Sequence, residues 1–189
     1  MTAKREGRMK AFSIALSVDR ARSSAAFAGS ISVNRTLDDT EAKLDGASIS
    51  AAGDVAVRGE TNSEILAIGG GAGVGGKNGV GGSIAFNQVA GTAGAVIEGA
   101  GATITAENVG VDALNDNKIE AIAVSAGVQA TGSGGGTAFA GTLAINVVSV
   151  DPTIFPSGTA AEESAVEARI TGAAVVAGGD VRVAAEDAS

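Results

Sequence analysis

The sequence predicts an all-β fold, a parallel β-solenoid built from three imperfect repeats of about 54–70 residues. Three observations point there. Apolar residues recur at every second position, as in Phe12, Ile14, Leu16 and Val18 and again in Ile31 and Val33, which is strand spacing and not the three-four spacing of a helix. Ile, Val and Thr are punctuated by Gly, Asn and Asp, the composition of strands and turns. Several landmarks recur three times in the same order, separated by Gly and Ala that let neighbouring backbones approach closely. An antiparallel β-meander is the alternative, because the GGKNG bend at 75–79 can close a hairpin.

Residues 1–8 form a basic leader or truncated edge, expected to be disordered, ahead of repeats over 9–62, 63–116 and 117–189. Each repeat opens on an alternating segment: MKAFSIALSV at 9–18, ILAIGGGAGV at 65–74 and IEAIAVSAGV at 119–128. In these, Met9/Ile65/Ile119, Phe12/Ile68/Ile122 and Val18/Val74/Val128 correspond. A small-residue stretch and a second apolar segment follow, ending in Asn34, Asn87 and Asn146. These recurrent asparagines read as structural residues whose amides satisfy backbone groups at a strand end; the alternative is a polar ladder exposed to ligand. Asp54, Asn108 and Asp180 then precede the pairs Val55/Val57, Val109/Val111 and Val181/Val183, where an Asx side chain stabilises the turn into the next strand. Each unit thus reads as two longer strands around a Gly-rich bend, followed by two or three short ones. The third repeat is lengthened by an insertion at 150–166 that holds both prolines, Pro152 and Pro156, and marks a surface loop.

Composition removes much chemistry. The 189 residues include no His, Cys, Trp or Tyr, so the usual zinc, copper, haem and iron–sulfur ligand sets are missing, as are Ser-His and Cys-His pairs. Residues 1–35 hold seven Lys/Arg and two Asp/Glu, whereas 36–189 hold six and nineteen, so the net charge of −8 combines a basic start with an acidic bulk. Acidic bulk repels nucleic acid, and no nucleic-acid partner is expected. No stretch approaches the roughly 18 apolar residues of a membrane span, so none is expected in this segment. The start MTAKREGRMK is not followed by an apolar run of signal-peptide length.

Three motifs invite a chemical reading. Gly71, Gly73 and Gly76 satisfy GxGxxG, but a strand pattern follows and Asn78 stands where a phosphate loop carries Ser or Thr, so a Gly-rich bend is the better reading. Asp38–Asp39 with Glu41, Glu162–Glu163, and Asp112 with Asp116 are the carboxylates that acid–base work on sugars requires, yet adjacent strand residues point to opposite faces. DALNDNK at 112–118 and RTLDDTE at 35–41 offer oxygen ligands, which leaves calcium as the one cofactor open to the chain, although neither segment has the order of a calcium loop. No catalytic, cofactor-binding or metal-ligating residue is assigned.

The run GVGGSIAFN, followed by AVIEGAGATITAENVGVDALND, resembles the repeats of very large bacterial exported adhesins of the leukotoxin-type filamentous, autotransporter and two-partner-secretion kinds. The corresponding positions are Gly82, Ser83, Ala85 and Asn87, then Ala95, Ile97, Gly99 and Ala100, then Asn108, Val109 and Val111. The resemblance implies a surface-exposed or secreted bacterial location and an elongated solenoid used for adhesion or display, with no catalytic residues to carry over. The expected role is a stiff rod whose connections at 35–43, 88–94 and 150–166 meet a cell-surface or matrix ligand, protein or glycan, with Ile154, Phe155, Glu162 and Glu163 in the last. Neighbouring repeats, and end-to-end self-association through open strand edges, are the other expected contacts. The competing readings are a polysaccharide-acting β-helix enzyme and a self-assembling filament module.

Overall fold

A computed structural model describes residues 1–19, 25–130, 136–148 and 165–189, and among these every regular element is a strand. In chain order they are β1 (Thr2–Val18), β2 (Ala25–Asp45), β3 (Ile49–Ser50), β4 (Val55–Gly75), β5 (Asn78–Glu98), β6 (Thr103–Ala106), β7 (Val109–Gln129), β8 (Thr137–Val148), β9 (Val166–Thr171), β10 (Ala174–Ala177) and β11 (Val181–Asp187). Every strand pair is parallel, which sets the meander aside. Three sheets result: β1–β4–β7–β11, then β2–β5–β8 with β9 also on β5, and the short β3–β6–β10. Each rung of this solenoid runs out along one long strand, turns, returns along a second and closes through a short third.

Register follows the equivalences read from sequence. Met9 pairs with Ile65 and Ile65 with Ile119; Phe12, Ile68 and Ile122 align, as do Val18, Val74 and Val128. Two features differ from the sequence reading. Residues 2–8 are not a disordered leader but the start of β1, in register from Thr2 opposite Arg58. The boundaries at 62/63 and 116/117 cut β4 and β7 in mid-strand, so the natural rung begins near Thr2, Val55 and Val109.

The rung changes character along its length. At the end closed by the short sheet, Val57, Ile97, Ile104, Val109 and Val111 build an ordinary apolar core. Farther out, Ile65, Ala67 and Val89 make a smaller cluster. Beyond it the inward positions hold almost nothing but small residues: Ala11, Ser13, Ala15 and Ser17 in β1, Gly69, Gly71, Gly73 and Gly75 in β4, and Gly79, Gly81, Ser83 and Ala85 in β5. Here the two long sheets touch backbone to backbone. A methyl group on Gly73 would overlap the carbonyl oxygen of Val80, one on Gly71 that of Gly82, and one on Gly79 would lie 2.6 Å from the oxygen of Gly73 and overlap that of Val128. Sheets that pack through side chains stand about 10 Å apart; these are far closer.

Because the slot admits no bulk, the large side chains of the same strands face outward. Phe12, Ile14 and Leu16 on one sheet and Phe27, Ile31 and Val33 on the other are exposed. The outward Gly82 carries no such restriction: a methyl there would come no closer than 3.7 Å to its nearest neighbour, the carbonyl oxygen of Gly141. Gly73→Ala is expected to destabilise the protein by roughly 1–3 kcal/mol or more through overpacking, and Gly82→Ala by less than about 0.5 kcal/mol. Thermal melts followed by far-UV circular dichroism check the pair, and equal melting temperatures would contradict the slot.

Candidate functional site

The polar residues that recur in the sequence meet one another along the solenoid axis. Asn34, Asn87 and Asn146 lie in register on the inward side of β2, β5 and β8, the first two buried and Asn146 exposed on the outer strand. The Asn34 amide donates to the Asn87 carbonyl oxygen at 2.8 Å and to the Ser32 hydroxyl at 3.0 Å, and the Asn87 amide donates to Asn146 at 2.9 Å. The ladder sits in mid-strand, and its side-chain amides bond each other where the sequence suggested backbone groups at a strand end. Asn34 and Asn87 are buried, so neither is presented to a ligand.

A second ladder runs outside. Asp54, Asn108 and Asp180 each precede a long-sheet strand; the Asn108 amide donates to the Asp54 carboxylate at 2.7 Å, and the Asn108 carbonyl oxygen accepts the Asp180 backbone N–H at 2.8 Å. These side chains link turns of successive rungs to one another.

The carboxylate doublets separate as strand geometry requires. Asp38 points inward and is 3% exposed, taking the Arg5 guanidinium and the Ser63 hydroxyl as partners, whereas Asp39 points outward and accepts the Thr92 hydroxyl at 2.8 Å. Residues 35–43 and 88–94 are not loops: they belong to β2 and β5. Polar inward residues such as Asp38 and Thr40 broke the apolar alternation there and hid the strand. Asp39 and Glu41 share an outward depression of about 420 Å³ with Glu167, whose carboxylate is paired with Arg169 at 3.3 Å. The segment 112–118 is strand as well, so its oxygens alternate between faces; Asp112 faces out and pairs with Arg182 at 3.4 Å, and Asp116 is exposed on that same face. Among the described residues no group of three or more Asp or Glu is disposed to hold a metal ion. Gly71 and Gly73 of the GxGxxG match are slot residues within β4. Ile154, Phe155, Glu162 and Glu163 lie outside the described residues.

No protein family, curated protein or solved structure matches the chain.

What sequence reasoning missed is a charge pattern visible only once register is known. Arg8, Glu64 and Lys118 occupy one column, so its sign alternates from rung to rung, and Arg8 pairs with Glu64 at 2.9 Å. Lys4 bridges to Glu60 at 2.9 Å. Glu98 sits between Lys43 and Arg169, hydrogen-bonded to the first and 3.1 Å from the second. The Lys43 hydrogen bond holds the Glu98 carboxyl below its ordinary value against an opposing desolvation, and Glu98 in turn raises Lys43. A carboxyl lowered on folding contributes stability above its unfolded value near 4.5, and that contribution is lost as pH falls through the lowered folded value.

Glu98→Gln is therefore expected to shrink the drop in melting temperature between about pH 6 and about pH 3, measured against the parent protein. Asn87→Ala leaves the buried Asn34 amide without its Asn87 acceptor, an expected loss of about 1–3 kcal/mol in urea unfolding.

Proposed function

We propose that the chain is a structural repeat segment of a large surface-exposed or secreted bacterial adhesin-like protein, a stiff element that displays its outer surface to a cell-surface or matrix ligand. The observation that carries this reading is the fate of the polar groups. The recurrent Asn and Asp residues and many of the acids are engaged in bonds between rungs, Asp38 with Ser63, Glu64 with Arg8, Asn87 with its two stacked neighbours. Side chains used in this way hold a stack together and do not converge on a reacting atom.

The dimensions refine the mechanical role. A 21-residue strand is about 70 Å long, while each rung rises only about 4.8 Å. Three rungs thus make a broad plate, and slender reach comes only with many more copies. Neighbouring repeats extend it by adding to the open edge of β1 and to the far edges of β8 and β11. Location outside the bacterial cell rests on the sequence resemblance. Among the described residues no helix is long and apolar enough to cross a membrane.

The test immobilises the purified chain and passes a panel of matrix proteins and glycans over it by surface plasmon resonance, alongside an assay for new reducing or unsaturated sugar ends on a polysaccharide panel. Saturable binding to a panel member with no sugar release is the expected result. Sugar release would transfer the reading to the carboxylates around Asp39, Glu41 and Glu167, and absence of any binding would remove display as the role.

A further inference from the structure

The outer face of the β2–β5–β8 sheet is apolar where a solvated sheet carries polar side chains. Alternation points Phe27, Gly29, Ile31 and Val33 outward from β2, and register places Val80, Gly82 and Ile84 of β5 and Phe139, Gly141 and Leu143 of β8 in the first three of these columns. Phe27 is 70% exposed, Ile31 72% and Phe139 63%. No charged residue occurs in 25–33, 78–86 or 137–145. The face also has relief. The glycine column floors a trench of about 640 Å³ running along the solenoid axis, and the Ile31–Ile84–Leu143 column stands beside it as a ridge.

We propose that this face pairs with the same face of a second copy of the chain, ridge into trench. A two-fold axis parallel to the solenoid and midway between the Gly29 and Ile31 columns lays each copy's ridge in the other's trench. The same operation sets Phe27 opposite Val33, and Phe139 opposite Ile145. Both surfaces repeat at the inter-strand distance of about 4.8 Å, so a fit made at one rung recurs at the next. Other occupants fit less well. The trench is open to solvent, and an acyl chain laid in it would stay largely uncovered, unlike a ligand in an enclosing pocket. A bilayer would cover the face, but β2 and β8 are the outer strands of this sheet among the described residues, and their outward backbone groups would meet hydrocarbon without partners. The opposite sheet offers no equivalent, because Gly70 lies in register between Ile14 and Val124 and no continuous glycine column forms there.

Area decides the strength. Three rungs across residues 25–33 present about 14 Å by about 27 Å, so a pair buries roughly 780 Å² in total, below the approximately 1,200 Å² at which stable interfaces begin. Each added rung contributes about 260 Å² more. The 189-residue chain should therefore dimerise weakly and longer arrays firmly. The pairing follows from this face alone and does not rest on the display reading.

Sedimentation equilibrium of the 189-residue chain from about 10 µM to about 1 mM tests it, since interfaces of this size associate at the weak end of the range. The expected result is a reversible dimer at the upper concentrations, weakened at least about tenfold by Ile31→Ser, which removes a ridge, and by Gly141→Leu, which fills the trench. Neither change touches the packed interior: Ile31 is exposed, and a methyl group on Gly141 meets nothing within 4 Å. Ile14→Ser on the other sheet should leave association unchanged. Three results would overturn the proposal: a monomer throughout the range, association that survives both face variants but is lost when a proline is placed in the β1 edge, or Ile31-dependent flotation with phosphatidylcholine vesicles without any dimer.

Discussion

The close approach of the two long sheets governs this molecule. With Gly71, Gly73, Gly79 and Gly81 meeting opposing carbonyl groups, the outer half of each rung has an interior only as thick as two backbones. Everything else in that half follows from steric exclusion. Past the Asn34–Asn87–Asn146 ladder the inward positions hold almost nothing but Gly, Ala, Ser and Thr, and the residues that would fill a conventional core, Phe12, Leu16, Ile31 and Phe139 among them, have nowhere to go but out. The cohesion of this half comes from parallel backbone ladders and dispersion between closely spaced main chains, and less from removal of large apolar side chains from water. Toward the other end the sheets diverge around Val57, Ile97 and Ile104, and the usual arrangement returns.

Much of this was legible in the residues. The period, the strand class and the alignment of Met9 with Ile65 and Ile119 came from alternation and spacing, because stacked rungs must present like residues at like heights. The orientation of the faces was not. An alternation of period two says that two faces differ without saying which is inside, and the habit of placing Val, Ile and Phe inward fails where the alternate positions are glycine. The signal was present in the run Gly69-Gly70-Gly71-Ala72-Gly73, but it spoke for close approach in general and did not name the surface approached. The strands over 35–43 and 88–94 were hidden for a different reason: their inward residues include the polar Asp38 and Thr40, and Asp38 is held inside by Arg5 and Ser63, partners distant in sequence that no local pattern reveals.

Stacking also disciplines the charges. Identical repeats would set like charges about 4.8 Å apart along the axis, a repulsive arrangement. The chain avoids it by varying sign within a column, as in Arg8–Glu64–Lys118, or by letting one acid serve two bases, as Glu98 serves Lys43 and Arg169. Asparagine needs no such variation because its amide is donor and acceptor at once, which is why Asn34, Asn87 and Asn146 repeat unchanged while the charged positions do not.

The offsets between paired strands carry a last consequence. β1 and β4 are 56 residues apart and β4 and β7 54, whereas β2 and β5 are 53 apart and β5 and β8 59. Length differences are therefore absorbed between one long strand and the next, and again between β8 and β9, while the columns on either side, through Val89–Val148 and from Ala93–Val166, keep their register. Such a frame tolerates insertion at its rims while its stacked columns stay fixed, so the two-residue turn at 76–77 offers protein engineers a natural port for grafting a foreign peptide onto the plate's edge.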